Sequence, residues 1–198
     1  FRQGAERRAA YSSIADTVGC LTPLETYDLV REILPELKNP LCIHCHNDMG
    51  LATANTITAA QAGAFQLHTT VNGIGERAGN ASLEEVLVAL RMKGGVDRYD
   101  LTKLNEVSKM VEEYSGIKVS KTKAVVGENA FTHESGIHIA AILKDPATYE
   151  YFMPEMVGGK RRFILGKHTG RKALAHVLCT LGCELSLNET NWILEQIK

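Results

Sequence analysis

The sequence predicts an α/β fold built on a parallel sheet. Two observations carry that prediction. Across residues 12–93, short apolar runs alternate with helix signals at intervals of roughly 25–30 residues, the spacing of βαβ units. Polar and glycine-containing stretches fall where an apolar run ends and the next helix begins, which is where parallel α/β folds carry their functional loops.

The elements follow in order. Ser13-Ile14-Ala15-Asp16 is a short strand. Thr22-Pro23-Leu24-Glu25 opens a helix, with Thr as N-cap, Pro at the first helical position and Glu three residues after the cap. Its apolar face is Tyr27, Val30, Ile33, Leu34 and Leu37. A second strand covers residues 41–46, and a helix rich in Ala and Thr follows, ending near Gly63. The third strand runs from about Gln66 to Val71. Ser82-Leu83-Glu84-Glu85 reads as another capping box, with Leu83, Val86, Leu87 and Leu90 as the buried stripe behind it. Three strands can neither close a barrel nor cover a parallel sheet, so more sheet is expected ahead of the opening residues.

Gly94-Gly95-Val96-Asp97 marks a break. Leu104, Val107, Val111 and Tyr114 form one helical stripe, stopped by Gly116. Residues 117–160 carry turn signals and one histidine-rich segment. Lys167-His168-Thr169-Gly170 reads as a turn before a helix whose stripe is Ala173, Leu174, Val177, Leu178 and Leu181. Cys179 and Cys183 fall near that stripe and read as small buried apolar residues. Ser186–Glu189 caps a last helix. The division expected is 1–93 sheet and helices, 94–125 helical linker, and 126–198 small C-terminal subdomains.

The 198 residues suffice for one sizeable core, or one core and a small appendage. Lys and Arg total 22 against 23 Asp and Glu, a net charge of −1, which gives no electrostatic case for nucleic acid or an anionic membrane surface. No apolar run is long enough to span a bilayer. The opening Phe1-Arg2-Gln3-Gly4-Ala5-Glu6 is neither a signal peptide nor a methionine start, and reads as an entry into the middle of a longer protein. Five cysteines without a sign of export point to reduced thiols and a cytoplasmic protein.

The chemistry gathers at four places. In Cys42-Ile43-His44-Cys45-His46-Asn47-Asp48, alternation along a strand sends His44 and His46 to one side, as two ligands of one metal ion must project. The bland alternative is a polar strand face. Two imidazoles also need a third ligand, usually a carboxylate, and no Asp or Glu stands out as that ligand. Cys42-x-x-Cys45-His46 matches the c-type haem pattern, but on a strand the two thiols face opposite ways.

Asn72-Gly73-Ile74-Gly75-Glu76-Arg77-Ala78-Gly79-Asn80 does not fit the dinucleotide fingerprint. Its glycines let the backbone approach a ligand, with Glu76, Arg77 and Asn80 as polar groups; equally it is a tight turn with a Glu–Arg ion pair. Asp16-Thr17-Val18-Gly19 is an ordinary polar turn, or places Thr17 to hydrogen-bond a carboxylate. In His133-Glu134-Ser135-Gly136-Ile137-His138, Glu134 is placed to orient either histidine as a general base; two loop histidines also read as simple surface groups.

Taken together and in order, these four motifs resemble the homocitrate synthase/2-isopropylmalate synthase family over essentially the whole chain. The resemblance implies the C-terminal part of a (β/α)8 TIM barrel, its last three strand–helix units, followed by a helical linker and small α+β subdomains. It implies condensation of acetyl-CoA with a 2-oxo acid, assisted by a divalent metal (zinc, manganese or magnesium). In that picture His44, His46 and Asn80 bind the metal. Thr17 and Arg77 bind substrate. His138, its partner Tyr149 and Glu76 are catalytic. A homodimer is implied in which swapped C-terminal subdomains complete the partner's site.

The first part of the family barrel, with its Asp-Thr-x-Arg-Asp-Gly region and carboxylate metal ligand, is not in this sequence, so the chain taken alone is expected to be inactive. Ile139-Ala140-Ala141 departs from the Gln-Asp-Gly usual after this histidine in isopropylmalate synthases. Arg161-Arg162-Phe163-Ile164-Leu165-Gly166-Lys167-His168-Thr169-Gly170 is similar to homocitrate synthases, which favours 2-oxoglutarate as acceptor. Alternatives are 2-isopropylmalate synthase with 2-oxoisovalerate, or a citramalate or Re-citrate synthase. From a different class come an assembly module and a metal-dependent aldolase or lyase.

Overall fold

The computed structural model describes residues 9–167, 169–183 and 185–197. The opening segment Phe1–Glu6 and His168 lie outside the described residues. The chain forms two compact units: residues up to Leu101 with Glu106–Val119, and Thr102–Asn105 with the residues from Ser120 onward. The segment 94–125 is divided between them.

The first unit holds a three-stranded parallel sheet in the order β1 (Ser12–Asp16), β2 (Leu41–Cys45), β3 (Gln66–His68). Helix α1 (Pro23–Ile33) connects the first pair and α2 (Ala52–Ala62) the second, while α3 (Leu83–Gly94) follows β3. The register pairs Ile14 with Ile43 and Ile43 with Leu67, one apolar layer toward the helices. The adjoining register pairs Ala15 with His44 and His44 with His68, so the other face is small and polar at the same height. Period-two alternation thus sorts the strands into a packing face and a chemical face.

Packing follows from that sorting. Ile14, Val30, Leu41, Ile43, Ala52, Ala59, Ala62 and Val86 form the buried cluster. The alanines of α2 let it approach the sheet and α1 closely. Buried Asn55 on α2 donates its amide Nδ2–H to the Leu21 carbonyl at 2.6 Å, satisfying the turn before α1. The α1 capping box forms: Thr22 Oγ1 accepts from the Glu25 N–H at 3.4 Å, and the Glu25 carboxylate accepts from the Thr22 N–H at 2.8 Å.

Three expectations need correction. Ser82 does not cap α3 with its side chain; its hydroxyl donates instead to Glu84, whose carboxylate is wholly buried and also accepts the Asn72 N–H. Glu85 is engaged across helices, accepting from the Thr53 hydroxyl at 2.8 Å. The third strand ends at His68, because the chain turns at Val71–Gly73 with Asn72 in the left-handed region at φ 61°. Cys179 and Cys183 are exposed, not buried: the helix that carries Cys179 ends at Thr180 and turns its last residues outward.

Helix α4 (Leu104–Ser115) runs from the second unit into the first. The second unit then holds a two-stranded parallel ladder, β4 (Thr132–His133) with β5 (Arg162–Phe163), and helices α5 (Gly136–Ile142), α6 (Arg171–Thr180) and α7 (Leu187–Ile197). Ser186 and Glu189 form the expected box at the start of α7, each accepting the other's N–H. Among the described residues no helix is long and apolar enough to cross a membrane.

Candidate functional site

At the exit of β2, His44 and His46 stand on one side of the chain with their Nε2 atoms 3.2 Å apart and their rings edge to face. Burial lowers the His44 pKa, and the neighbouring His46 and His68 lower it further. The neutral imidazole this favours is the form that ligates a metal. The His68 ring lies 5.7 Å from that of His44, placed there by their register partnership. Its position at the end of β3, equivalent to that of His44 on β2, was a signal available in the sequence.

Asn80 reaches the same place by a different route. The loop after β3 folds back, and Asn80 forms a bridge with His46. Asn80 Oδ1 is buried without a hydrogen-bond partner, a deficit that a bound cation would relieve. Two converging imidazoles and an idle amide oxygen fit a divalent metal. Among the described residues no group of three or more His, Cys, Asp or Glu is placed to hold a metal ion.

The loops around this point are locked together. Arg77 donates from Nε to Asp48 Oδ1 at 2.7 Å and from Nη2 to Asp48 Oδ2 at 3.0 Å, and Nη2 also reaches the Thr17 carbonyl at 2.7 Å. One guanidinium therefore ties the loops after β1, β2 and β3. Its hydrogen bonds hold the Asp48 carboxyl below the usual carboxylate range. The tight ion pair of this loop is thus with Asp48. Glu76 is largely exposed, 3.6 Å from Arg77 Nη1.

Thr17 is exposed at the exit of β1, held from behind by Asp16. The buried Asp16 carboxylate accepts the N–H groups of Cys20 at 3.0 Å and Leu21 at 3.2 Å, which shapes the Thr17–Gly19 turn. Gly79 closes the loop after β3: at φ 87°, a β-carbon there would lie 2.0 Å from the Gly73 carbonyl oxygen.

The second unit carries the other two expected residues. His138 on α5 and Tyr149, at the end of the turn Pro146–Thr148, stack with ring centroids 4.1 Å apart and planes 30° from parallel. The carboxylate facing His133 is that of Glu150, at 3.5 Å, a partner seventeen residues away that local spacing does not reveal.

Residues 5–111 match the family described as HMGL-like. The chain belongs to the HMGL-like family. Residues 125–198 match the homocitrate synthase post-HMGL domain-like family. Among relatives, the chain is 62% identical over 193 residues to Homocitrate synthase AksA of Methanosarcina mazei, covering 98% of this chain and 48% of that protein. It is 49% identical over 199 residues to (R)-citramalate synthase CimA of Methanocaldococcus jannaschii, covering 100% of this chain and 40% of the relative. The chain spans about half the length, or less, of these relatives.

Among solved structures, the HMG-CoA lyase of Bacillus subtilis superposes with a TM-score of 0.52 at 26% identity, over 58% of this chain and 41% of that one. The three strand–helix units of this HMGL-like chain are accordingly part of a TIM barrel. In such barrels the C-terminal ends of the strands carry the chemistry. His44, His46, His68, Thr17 and the Arg77 clamp all stand at those ends.

Proposed function

We propose that the protein condenses acetyl-CoA with a 2-oxo acid, with 2-oxoglutarate as acceptor and homocitrate as product. The observation that carries this reading is the 3.2 Å approach of His44 and His46 at a barrel strand exit, beside the idle oxygen of Asn80. The 62% identity to a homocitrate synthase supports the acceptor. A zinc, manganese or magnesium ion held by His44, His46 and Asn80 would polarise the acceptor ketone and offset the negative charge that develops on its oxygen.

The remaining roles fall to the chain's own side chains. The exposed Thr17 hydroxyl donates to the acceptor carboxylate. Arg77 holds the three loops in register and lends its Nη1 edge to the bound anion. The acetyl methyl group is a weak acid, so a positioned base must remove its proton. We assign that task to His138, oriented by the stacked Tyr149, with Glu76 as a further proton-transfer group at the rim. Hydrolysis of the resulting thioester makes the reaction irreversible. The reading includes a homodimer in which the subdomain bearing His138 and Tyr149 serves the other copy's site. It also places the protein in the cytoplasm, where five free cysteines stay reduced.

The test is release of free thiol from acetyl-CoA by the complete protein, with a panel of 2-oxo acids. Fastest release is expected with 2-oxoglutarate. Preference for pyruvate would move the acceptor toward the citramalate synthase relative. No release with any acceptor would overturn the synthase reading.

A further inference from the structure

The His138–Tyr149 stack is made of two accessible rings, with Tyr149 nearly half exposed. Contact between two exposed rings does not fix their geometry, since water competes with the stack and side-chain freedom opposes it. The residues next in sequence supply the constraint. Ile139, following His138, is wholly buried on α5. Glu150, following Tyr149, is an acid buried to 1% side-chain exposure.

A buried carboxylate requires compensation. Arg161, just before β5, provides it as a fork: Nε to Glu150 Oε1 at 2.7 Å and Nη2 to Glu150 Oε2 at 2.5 Å. The hydrogen bonds that Arg161 donates to Glu150 raise its pKa, so the guanidinium stays charged. Two parallel bonds fix orientation as well as distance. The third neighbour of the carboxylate is His133 on β4, whose buried Nε2 lies 3.5 Å from Glu150 Oε1 without a hydrogen bond.

The backbone carries the constraint onward. The Tyr149 and Glu150 N–H groups both donate to the Pro146 carbonyl, at 3.1 and 3.0 Å. Asp145 caps this turn through the Ala147 N–H at 3.0 Å. A torque on Glu150 is therefore a torque on Tyr149.

We infer that Glu150 and Arg161 are positioning residues for the His138–Tyr149 pair: the buried fork sets the turn that presents the Tyr149 ring to the His138 imidazole. This inference rests on the proposed function of that pair. The mechanism above uses neither residue, and both lie outside the four sequence motifs of the active-site reading.

The test uses Glu150→Gln and Arg161→Lys in the complete protein. Gln keeps the shape and loses the charge; Lys keeps the charge and loses the fork. Two quantities are read well below each variant's unfolding temperature. One is the chemical shift of the His138 ring protons, which the stacked Tyr149 ring displaces; Tyr149→Leu defines the unstacked value. The other is turnover, as a KM-against-kcat split.

Both variants are expected to move the His138 shift toward the unstacked value. They should also lower kcat about tenfold to a hundredfold, with KM for the acceptor unchanged. If Glu150→Gln does not fold, Arg161→Lys carries the same test. A native His138 shift and native kcat in a folded variant would overturn the inference, even with a lowered unfolding temperature. If His138→Ala itself turns over normally, the catalytic reading fails. The shift measurement then still decides whether Glu150 and Arg161 orient the rings.

Discussion

The β2 exit and the His138–Tyr149 pair solve one problem, holding two rings together, in opposite ways. At the β2 exit the work is done by the backbone. Strand alternation aligns His44 with His46, register sets His68 beside them, and the bridge from His46 to Asn80 brings in the amide. At the second place nothing in the local backbone period aligns residues 138 and 149. One sits on a seven-residue helix and the other on a single turn, and the alignment comes from buried neighbours. A site built on paired strands is rigid by construction, whereas one built on a turn is only as rigid as the side chains beneath it.

The sharpest way to break this comparison is to separate binding from turnover. His46→Ala is expected to remove both: metal affinity collapses, and turnover with it, by about a thousandfold or more. His138→Ala is expected to leave metal affinity unchanged while turnover falls about a hundredfold to ten-thousandfold. Metal titration followed by calorimetry, beside the thiol assay, reads both. Equal loss of metal affinity in the two variants would mean that the regions are not separable; full turnover in His46→Ala would remove it from the ligand set.

The same contrast explains what could be read from the sequence. His44 and His46 were legible because period two is a local rule and the strand is short and apolar. The positions of Thr17, Arg77 and Asn80 were legible because each lies in the segment between a strand and the next helix. Their contacts were not: Arg77 keeps its ion pair with adjacent Glu76 at 3.6 Å, but its hydrogen-bonded partner is Asp48, twenty-nine residues away. Ser82 was misassigned for a related reason. Its local pattern is a capping box, but buried Glu84 competes for its hydroxyl and wins, because a buried carboxylate needs donors more than a partly solvated helix end does. The pairing of Glu150 with Arg161 left no trace at the sequence level, since the fork closes over eleven residues between a turn and a strand start.

A medium effect is expected at the loop that delivers Asn80. Gly79→Ala forces a residue with a side chain into φ 87° and a β-carbon against the Gly73 carbonyl oxygen. The backbone term alone costs about 1–3 kcal/mol. The turn has to open to relieve the contact, which withdraws Asn80. Chemical denaturation is expected to show the lost stability, and metal titration a weaker site. An unaltered metal affinity in the folded variant would show that Asn80 does not depend on this turn, and that side chains as well as backbone set the first region.

The smallest expected effect tests the outer support of that loop. Asn72 sits in the left-handed region at φ 61°, a conformation Asn tolerates through local hydrogen bonds. Its Oδ1 accepts from the Ser108 hydroxyl on α4 at 2.5 Å, and its Nδ2 donates to the Ser108 carbonyl at 2.9 Å. Ser108→Ala removes the first bond and keeps the second, because the second uses the backbone. Ser108 is buried, so the abandoned amide oxygen is only partly rehydrated, and chemical denaturation is expected to show a loss of about 1 kcal/mol in unfolding free energy. Metal affinity should stay native, since the Glu84 carboxylate still anchors the Asn72 N–H. If Ser108→Ala weakened metal binding as much as Gly79→Ala, the first region too would depend on side chains beneath it, and the contrast with the second would close.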